Sequence, residues 1–267
     1  MSGYYKYLKN QGHKQEKDAE SLALISTIFY DKKCKAGIRT IKMILERKYG
    51  IKMNLKKITR IKREYNLQTK IRKKNKYQIF AKKSLESRTA PNILEQNFRI
   101  KNPNRVYSTD ISYLFYGQNK RAYLSATKDL ATGEIVTYNV SQNLGLSTAY
   151  EGLDVLLMNL TKEQRNRLII HSDQGTHYTH PIYVNKLKSY GVTQSMSRKG
   201  NCLDNAPIES FFGHLKDELD LKSIESYEEL RKDVAKYMKY YNTERAQWSR
   251  KKMTPAEYRC HLLSRVA

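Results

Sequence analysis

Apolar positions change period along this chain, and the change divides it. From residue 18 to residue 65 they fall three to four residues apart: Leu22, Leu24, Ile25, Ile28 and Phe29, then Ile38, Ile41, Ile44 and Leu45, then Leu55, Ile58, Ile61 and Tyr65. That period puts each set on one face of a helix and predicts three helices, the first over Asp18 to Tyr30. Tyr49-Gly50 closes the second, because glycine takes the left-handed conformation of a helix end without a Cβ clash. Asn54 offers a side-chain oxygen to the free amides that open the third. The outer face of the third helix carries Lys56, Lys57, Thr59, Arg60 and Arg63. Two helices joined by about four residues, the second basic outside, make a helix-turn-helix arrangement, which lays its second helix on DNA.

Beyond residue 104 the pattern shortens and then alternates. "RVYSTDISYLFY" (105–116), "AYLSATKDL" (122–130) and "GEIVTYNVS" (133–141) predict three consecutive strands. A helix over 146–160, a buried strand at "RLIIHSD" (167–173), a helix over 180–191 and a short strand "VTQSM" (192–196) follow. Consecutive strands and then helix–strand alternation indicate an α/β sheet with an antiparallel and a parallel part. Residues 70–103 read as a linker, opened by the basic run "KIRKKNKYQIFAKKS" and punctuated by Pro91 and Pro103.

Charge sharpens the division. The chain carries a net charge of +24, and its first 100 residues hold 26 basic and eight acidic side chains. Such an excess repels itself unless a polyanion is near, so nucleic acid is the first partner to expect. Membrane surface comes second, but no window approaches 18 uninterrupted apolar residues and no amino-terminal signal pattern is present, so no membrane partner is expected. Cys34, Cys202 and Cys260 are scattered and form no CxxC pair, so neither a disulfide framework nor a zinc site is expected. The 21 tyrosines, interleaved with basic residues, suit contact with phosphates and bases.

Three carboxylates stand where a binding site is expected. Asp110 sits mid-strand on the face of Val106, Ser108, Ser112 and Leu114, an expensive place for a charge without a partner or a cation. Asp173 ends an apolar strand before Gln174-Gly175, and ligands of α/β sheets gather at the carboxyl ends of strands. Glu209 follows a capping candidate, Asp204 or Asn205, with Pro207 in the first turn. It borders the apolar stripe Ile208, Phe211, Phe212, Leu215 and Leu219, and so faces the strand ends. Oxygen ligands without His or Cys suit Mg²⁺ or Mn²⁺, and two such ions catalyse in-line phosphoryl displacement.

The segments "PNRVYSTDISYL", "HSDQGTHY" and "GNCLDNAPIESFFGHLKDEL" resemble the catalytic segments of bacterial insertion-sequence transposases with a retroviral-integrase-like core. Between Asp173 and Glu209 lie 35 residues, the spacing of that group's Asp-Asp-Glu signature. The ending "YYNTERAQWSRKKMTPAEYR" (240–259) is similar too, and the likeness spans roughly residues 35–262. The resemblance implies a ribonuclease-H-like mixed α/β core behind a small all-α helix-turn-helix module. It divides the chain into a DNA-binding region 1–80, a basic linker 81–103, a catalytic core 104–224 and a C-terminal helical extension 225–267. Asp110, Asp173 and Glu209 match the catalytic, metal-binding triad, with two ions during catalysis and no zinc. The implied activity nicks the ends of a mobile element and joins the freed 3′-hydroxyl to another phosphodiester. The implied partners are element-end and target DNA, further copies of the chain in a synaptic complex, and a polypeptide from an upstream reading frame. A bacterial, cytoplasmic, DNA-associated location goes with these.

Lys216 completes the expected DNA contacts with Lys56, Lys57, Arg60 and Arg63. Seven residues of helix rotate about 700°, returning Lys216 to the edge that carries Glu209, and integrase-like enzymes place a basic residue there against the DNA end. His171 shares a strand face with Asp173 and reads as structural, Asp129 likewise, and His177 and His180 as loop residues near DNA. Tyr240 and Tyr241 raise tyrosine recombination, which the strands oppose. A structure-selective nuclease on the same fold and a non-catalytic DNA-binding regulator are the alternative readings.

Overall fold

The computed structural model describes residues 18–70 and 89–264, and the chain divides into two units, Met1–Lys74 and Asn75–Ala267. The first unit contains a helix over 18–31 (α1), α2 at Ile38–Tyr49 and α3 at Leu55–Glu64. Ile25, Ile28, Phe29, Ile41, Leu45, Ile58 and Ile61 form its core, so the three apolar stripes meet as their period required. Gly50 ends α2 at φ +68°, and Asn54 Oδ1 accepts the Lys56 amide at 2.8 Å to open α3.

The second unit is a five-stranded sheet in the order β3-β2-β1-β4-β5. Its strands are β1 (Val106–Tyr116), β2 (Lys120–Asp129), β3 (Ile135–Ser141), β4 (Ile169–Ser172) and β5 (Thr193–Met196). β1, β2 and β3 pair antiparallel, whereas β4 runs parallel to both β1 and β5. Helices α4 (Ser147–Met158), α5 (Lys162–Asn166), α6 (Thr176–Thr179) and α7 (Pro181–Ser189) connect the later strands. They are followed by α8 (Ala206–Glu218), α9 (Tyr227–Thr243) and α10 (Pro255–Leu263).

Alternation along β1 splits the core in two. Leu114 and Tyr116 join Ile208, Phe211, Phe212 and Leu215 of α8 and Val234, Tyr237 and Tyr241 of α9 on one face. Tyr107 joins Leu153 and Leu157 of α4, Tyr178 of α6 and Tyr183 and Leu187 of α7 on the other. Burying each apolar face of a sheet under helices gives a three-layer α/β/α arrangement. Tyr241 is thereby a core side chain, 1% exposed and edge-on to Phe211, rather than a nucleophile.

Two parts of the linear reading change. The boundary at residue 80 lies outside the described residues, but residues 89–103 are not a free linker. Leu94 is buried with Val106 and Leu130, and the Ile93 amide donates to Ser195 Oγ at 3.0 Å. The segment is a bound arm across the parallel edge, held by partners about a hundred residues away in sequence. The region after residue 224 supplies α9 to the same apolar cluster as α8, and Arg245 pairs with Glu218 of α8 at 2.7 Å.

Candidate active site

The parallel pairing of β1 with β4 matches Val106 with Ile169, Tyr107 with Ile170 and Ser108 with His171. Asp110 lies two residues past Ser108 on β1 and Asp173 two residues past His171, so both aspartates follow the paired segment at the same end. Asp173 stands immediately past the carboxyl end of β4, where the chain turns off the sheet. Both carboxylates are half-buried, and each gives one oxygen to a nearby amide: Asp110 Oδ1 accepts from Ile111 N, and Asp173 Oδ1 from Gly175 N, both at 2.8 Å. A Cβ at residue 175 would stand 2.8 Å from Asp173 Oδ1, so any larger residue would have to displace the carboxylate.

The third carboxylate arrives on a helix that the sheet itself holds. Ser108 Oγ donates to Asn205 Oδ1 at 2.6 Å, and Asn205 Nδ2 approaches the Thr109 carbonyl at 3.5 Å. Asn205 occupies the cap position of α8 but makes no capping bond; its side chain is spent on β1 instead. Glu209 lies one turn on, about 6 Å along the helix, while Asp110 lies two residues past Ser108, about 6.6 Å along the strand. Beyond them α8 and β1 share one apolar cluster. Glu209 is exposed at the edge of this contact, in a first helical turn, where the helix dipole favours its charged form.

Asp204 braces the same corner. Fully buried, its carboxylate accepts from Asn92 Nδ2, Gln96 Nε2 and the Arg198 amide and guanidinium at 2.8–3.0 Å. The Arg198 bonds hold its carboxyl well below the usual carboxylate range. Neither Asp204 nor Asn205 is therefore the cap that the residue types suggested; both tie the loop before α8 to the body of the sheet. Among the described residues, no three His, Cys, Asp or Glu side chains are gathered tightly enough to hold a metal ion. The structure thus brings the two aspartates to the same end of the β1–β4 pair and ties the start of the Glu209 helix to β1, without drawing the three carboxylates into one cluster.

His171 is structural, as its strand position suggested. It is fully buried, with Nδ1 2.9 Å from Ser195 Oγ and Nε2 3.2 Å from Ser197 Oγ, and burial pushes its pKa down. Asp129 is also fully buried and accepts from the amides of Asn104 and Ala131. His177 is half-buried, while His180 is exposed, its ring Nδ1 accepting the Ile182 amide at the start of α7. Lys216 lies half-buried on α8, two turns past Glu209.

In the first unit, Lys56 and Arg63 are exposed on α3. Arg60 and Lys57 are not the unpaired cations that a one-signed stretch implied. Arg60 makes two bonds to Asp18, at 2.8 and 2.9 Å, and a third to Glu64, and Lys57 lies 3.3 Å from Asp18. The missing signal was a partner 42 residues away on α1.

This fold is that of the integrase-core class. Models described as integrase core domain match residues 101–202 and 190–255, and one described as HTH-like domain matches residues 15–75. InsK of insertion sequence element IS150 from Escherichia coli (strain K12) is 35% identical over 97% of this chain and 89% of its own length. The transposase for insertion sequence element IS904 from Lactococcus lactis subsp. lactis (strain IL1403) is 32% identical over 87% of this chain and 90% of its own. A chain of the simian T-cell lymphotropic virus intasome, seen by cryo-electron microscopy, has the same fold with a TM-score of 0.50 at 15% identity, over 88% of this chain and 74% of that one.

The chain belongs to the insertion-sequence transposases with an integrase core. It is a polynucleotidyl transferase of DNA transposition, with a helix-turn-helix DNA-binding region ahead of a ribonuclease-H-like core. No helix among the described residues is long and apolar enough to cross a membrane.

Proposed function

We propose that Asp110, Asp173 and Glu209 are the catalytic carboxylates and hold two divalent cations, Mg²⁺ or Mn²⁺. The observation that supports this is the β1–β4 register, since Asp110 and Asp173 each follow its last pair, Ser108 and His171, by two residues at the carboxyl end of β4. The donor set fits: it is oxygen-only, as hard cations prefer. When bound, such a pair supplies activation of an attacking oxygen and stabilisation of the leaving one. The protein's own part is positional. β1 and the turn at Gly175 hold the two aspartates, Asn205 fixes the start of α8, and α8 presents Glu209 to them.

On this reading the site serves two displacements. A water oxygen attacks phosphorus at the element end, the P–O3′ bond breaks, and the 3′ oxygen leaves as a hydroxyl. That hydroxyl then attacks a second phosphodiester, displacing its 3′ oxygen. Lys216, on the edge of α8 that carries Glu209, holds the phosphates of the DNA end. Lys56, Lys57, Arg60 and Arg63 contact DNA from α3; Lys57 and Arg60 are shared with Asp18, whereas Lys56 and Arg63 are exposed. Element ends and target are both duplex, and several copies of the chain assemble on them.

Calorimetric titration of Mn²⁺ into metal-stripped protein tests the assignment. Asp110→Asn, Asp173→Asn and Glu209→Gln should each weaken binding by an order of magnitude or more; wild-type binding by all three variants would sink it.

A further inference from the structure

We infer that Lys128 is a positioning residue for Glu209: its buried ammonium clamps the first turn of α8 to the sheet and so sets where that carboxylate stands. The inference rests on the assignment of Glu209 as a catalytic carboxylate.

Lys128 lies on β2 directly opposite Ser108 of β1. Cross-strand partners share a face, so Lys128 projects toward α8, as Ser108 and Asp110 do. It is only 7% exposed, and its Nζ donates to the carbonyl oxygen of Pro207 at 3.0 Å. The face of the Tyr241 ring lies 5.9 Å away. Two neighbouring side chains of the sheet therefore reach one helical turn: Ser108 holds Asn205, and Lys128 holds Pro207, two residues before Glu209.

Simple stability does not explain a lysine here. Burying an ammonium is costly, and a neutral carbonyl repays less of that cost than a carboxylate does. The position adds to the penalty, since a helix amino terminus carries the positive end of the macrodipole and disfavours cations. An apolar side chain would fill the space beside Tyr241 without either cost. What the ammonium adds is a directed bond to the turn that needs one. The amino terminus of α8 has no side-chain cap, because Asn205 is turned onto β1. The turn continues from a short 3-10 helix, Ala206 N donating to the Leu203 carbonyl, and any loosening there moves Glu209. Pro207 has no amide to offer a partner, so its carbonyl is the group of that residue by which the sheet can hold the turn.

Hydrogen exchange of the full-length protein without metal, together with end-cleavage kinetics, tests this. Lys128→Met keeps the stem and removes the donor; Lys128→Arg keeps a donor. In Lys128→Met the amides of Ser210 to Phe212 should exchange at least tenfold faster than wild type, with exchange in β1 unchanged. End cleavage should lose kcat at least tenfold while KM for end DNA stays within twofold. Mn²⁺ affinity should fall several-fold, and Lys128→Arg should recover most of each effect. Wild-type exchange and kcat in a folded Lys128→Met protein would overturn the inference, as would tighter Mn²⁺ binding, which marks a mere electrostatic competitor. Should Lys128→Met fail to fold, Lys128→Gln is read by the same exchange measurement, and unchanged protection there would likewise overturn it. Glu209→Gln separates the two ideas. If it cleaves normally, the assignment of Glu209 fails while faster exchange in Lys128→Met still shows the clamp; if it is inactive and Lys128→Met behaves as wild type, only the clamp fails.

Discussion

Ser108 of β1 and Asn205 at the head of α8, 97 residues apart in the chain, are joined by a 2.6 Å hydrogen bond that is wholly buried. It converts a helix cap into a sheet anchor. Asn205→Ala leaves the Ser108 hydroxyl without that partner, at a cost of about 1–3 kcal/mol. The urea midpoint should fall accordingly, and end cleavage should fall with it, because Glu209 lies on the loosened turn. An unchanged midpoint would show that the bond is dispensable.

Asp204 makes stability depend on acid. Its folded pKa is depressed, chiefly by Arg198, so its contribution is complete above the unfolded value near 4. That contribution is lost as pH falls through the folded value. Asp204→Asn should lower the urea midpoint at pH 7 and reduce the further drop that wild type shows on going to pH 3. Parallel pH curves for the two proteins would contradict the linkage.

On the proposed assignment, Asp173→Asn removes a ligand charge at nearly constant shape. Cleavage and joining should fall by orders of magnitude, while affinity for end DNA persists. Millimolar Mn²⁺ should raise the melting temperature of wild type, since a ligand of the folded state stabilises it, and should raise that of the variant much less. Near-normal joining by Asp173→Asn would refute its catalytic role.

The exposed and the paired cations of α3 should separate experimentally. Lys56→Ala should reduce the slope of log affinity against log salt by about one, with melting unchanged. Arg60→Ala breaks the link from α3 to Asp18 on α1, so it should lower the melting temperature of the first unit as well as DNA affinity. Equal behaviour of the two variants would mean that the ion pair holds nothing.

What could be read from the sequence was local. The helices of the first unit showed themselves because Ile25, Ile41 and Ile58 each belong to a complete stripe, and Gly50 and Asn54 carry their signals within a residue or two. Asp110 and Asp173 were legible because strand position alone makes a charge there unusual. The features that position them were not legible, since each depends on a distant partner. Asn205 and Asp204 looked like caps because their residue types favour capping, yet Ser108, Asn92 and Gln96 claim them first. Lys128 carries no local signal of its role; α8 and the Tyr241 ring of α9 come to it from far along the chain.

The order of strands also bears on incomplete copies of the protein. The proposed centre is assembled from β1, the turn after β4 and α8, whereas α1, α2 and α3 close their own core from residues near the amino terminus. A product truncated before α8 would retain the helix-turn-helix region and lack the glutamate of the proposed centre. Such a fragment, occupying the element's ends without processing them, would act as a competitor of the intact enzyme, and each premature stop would dampen further movement of the element.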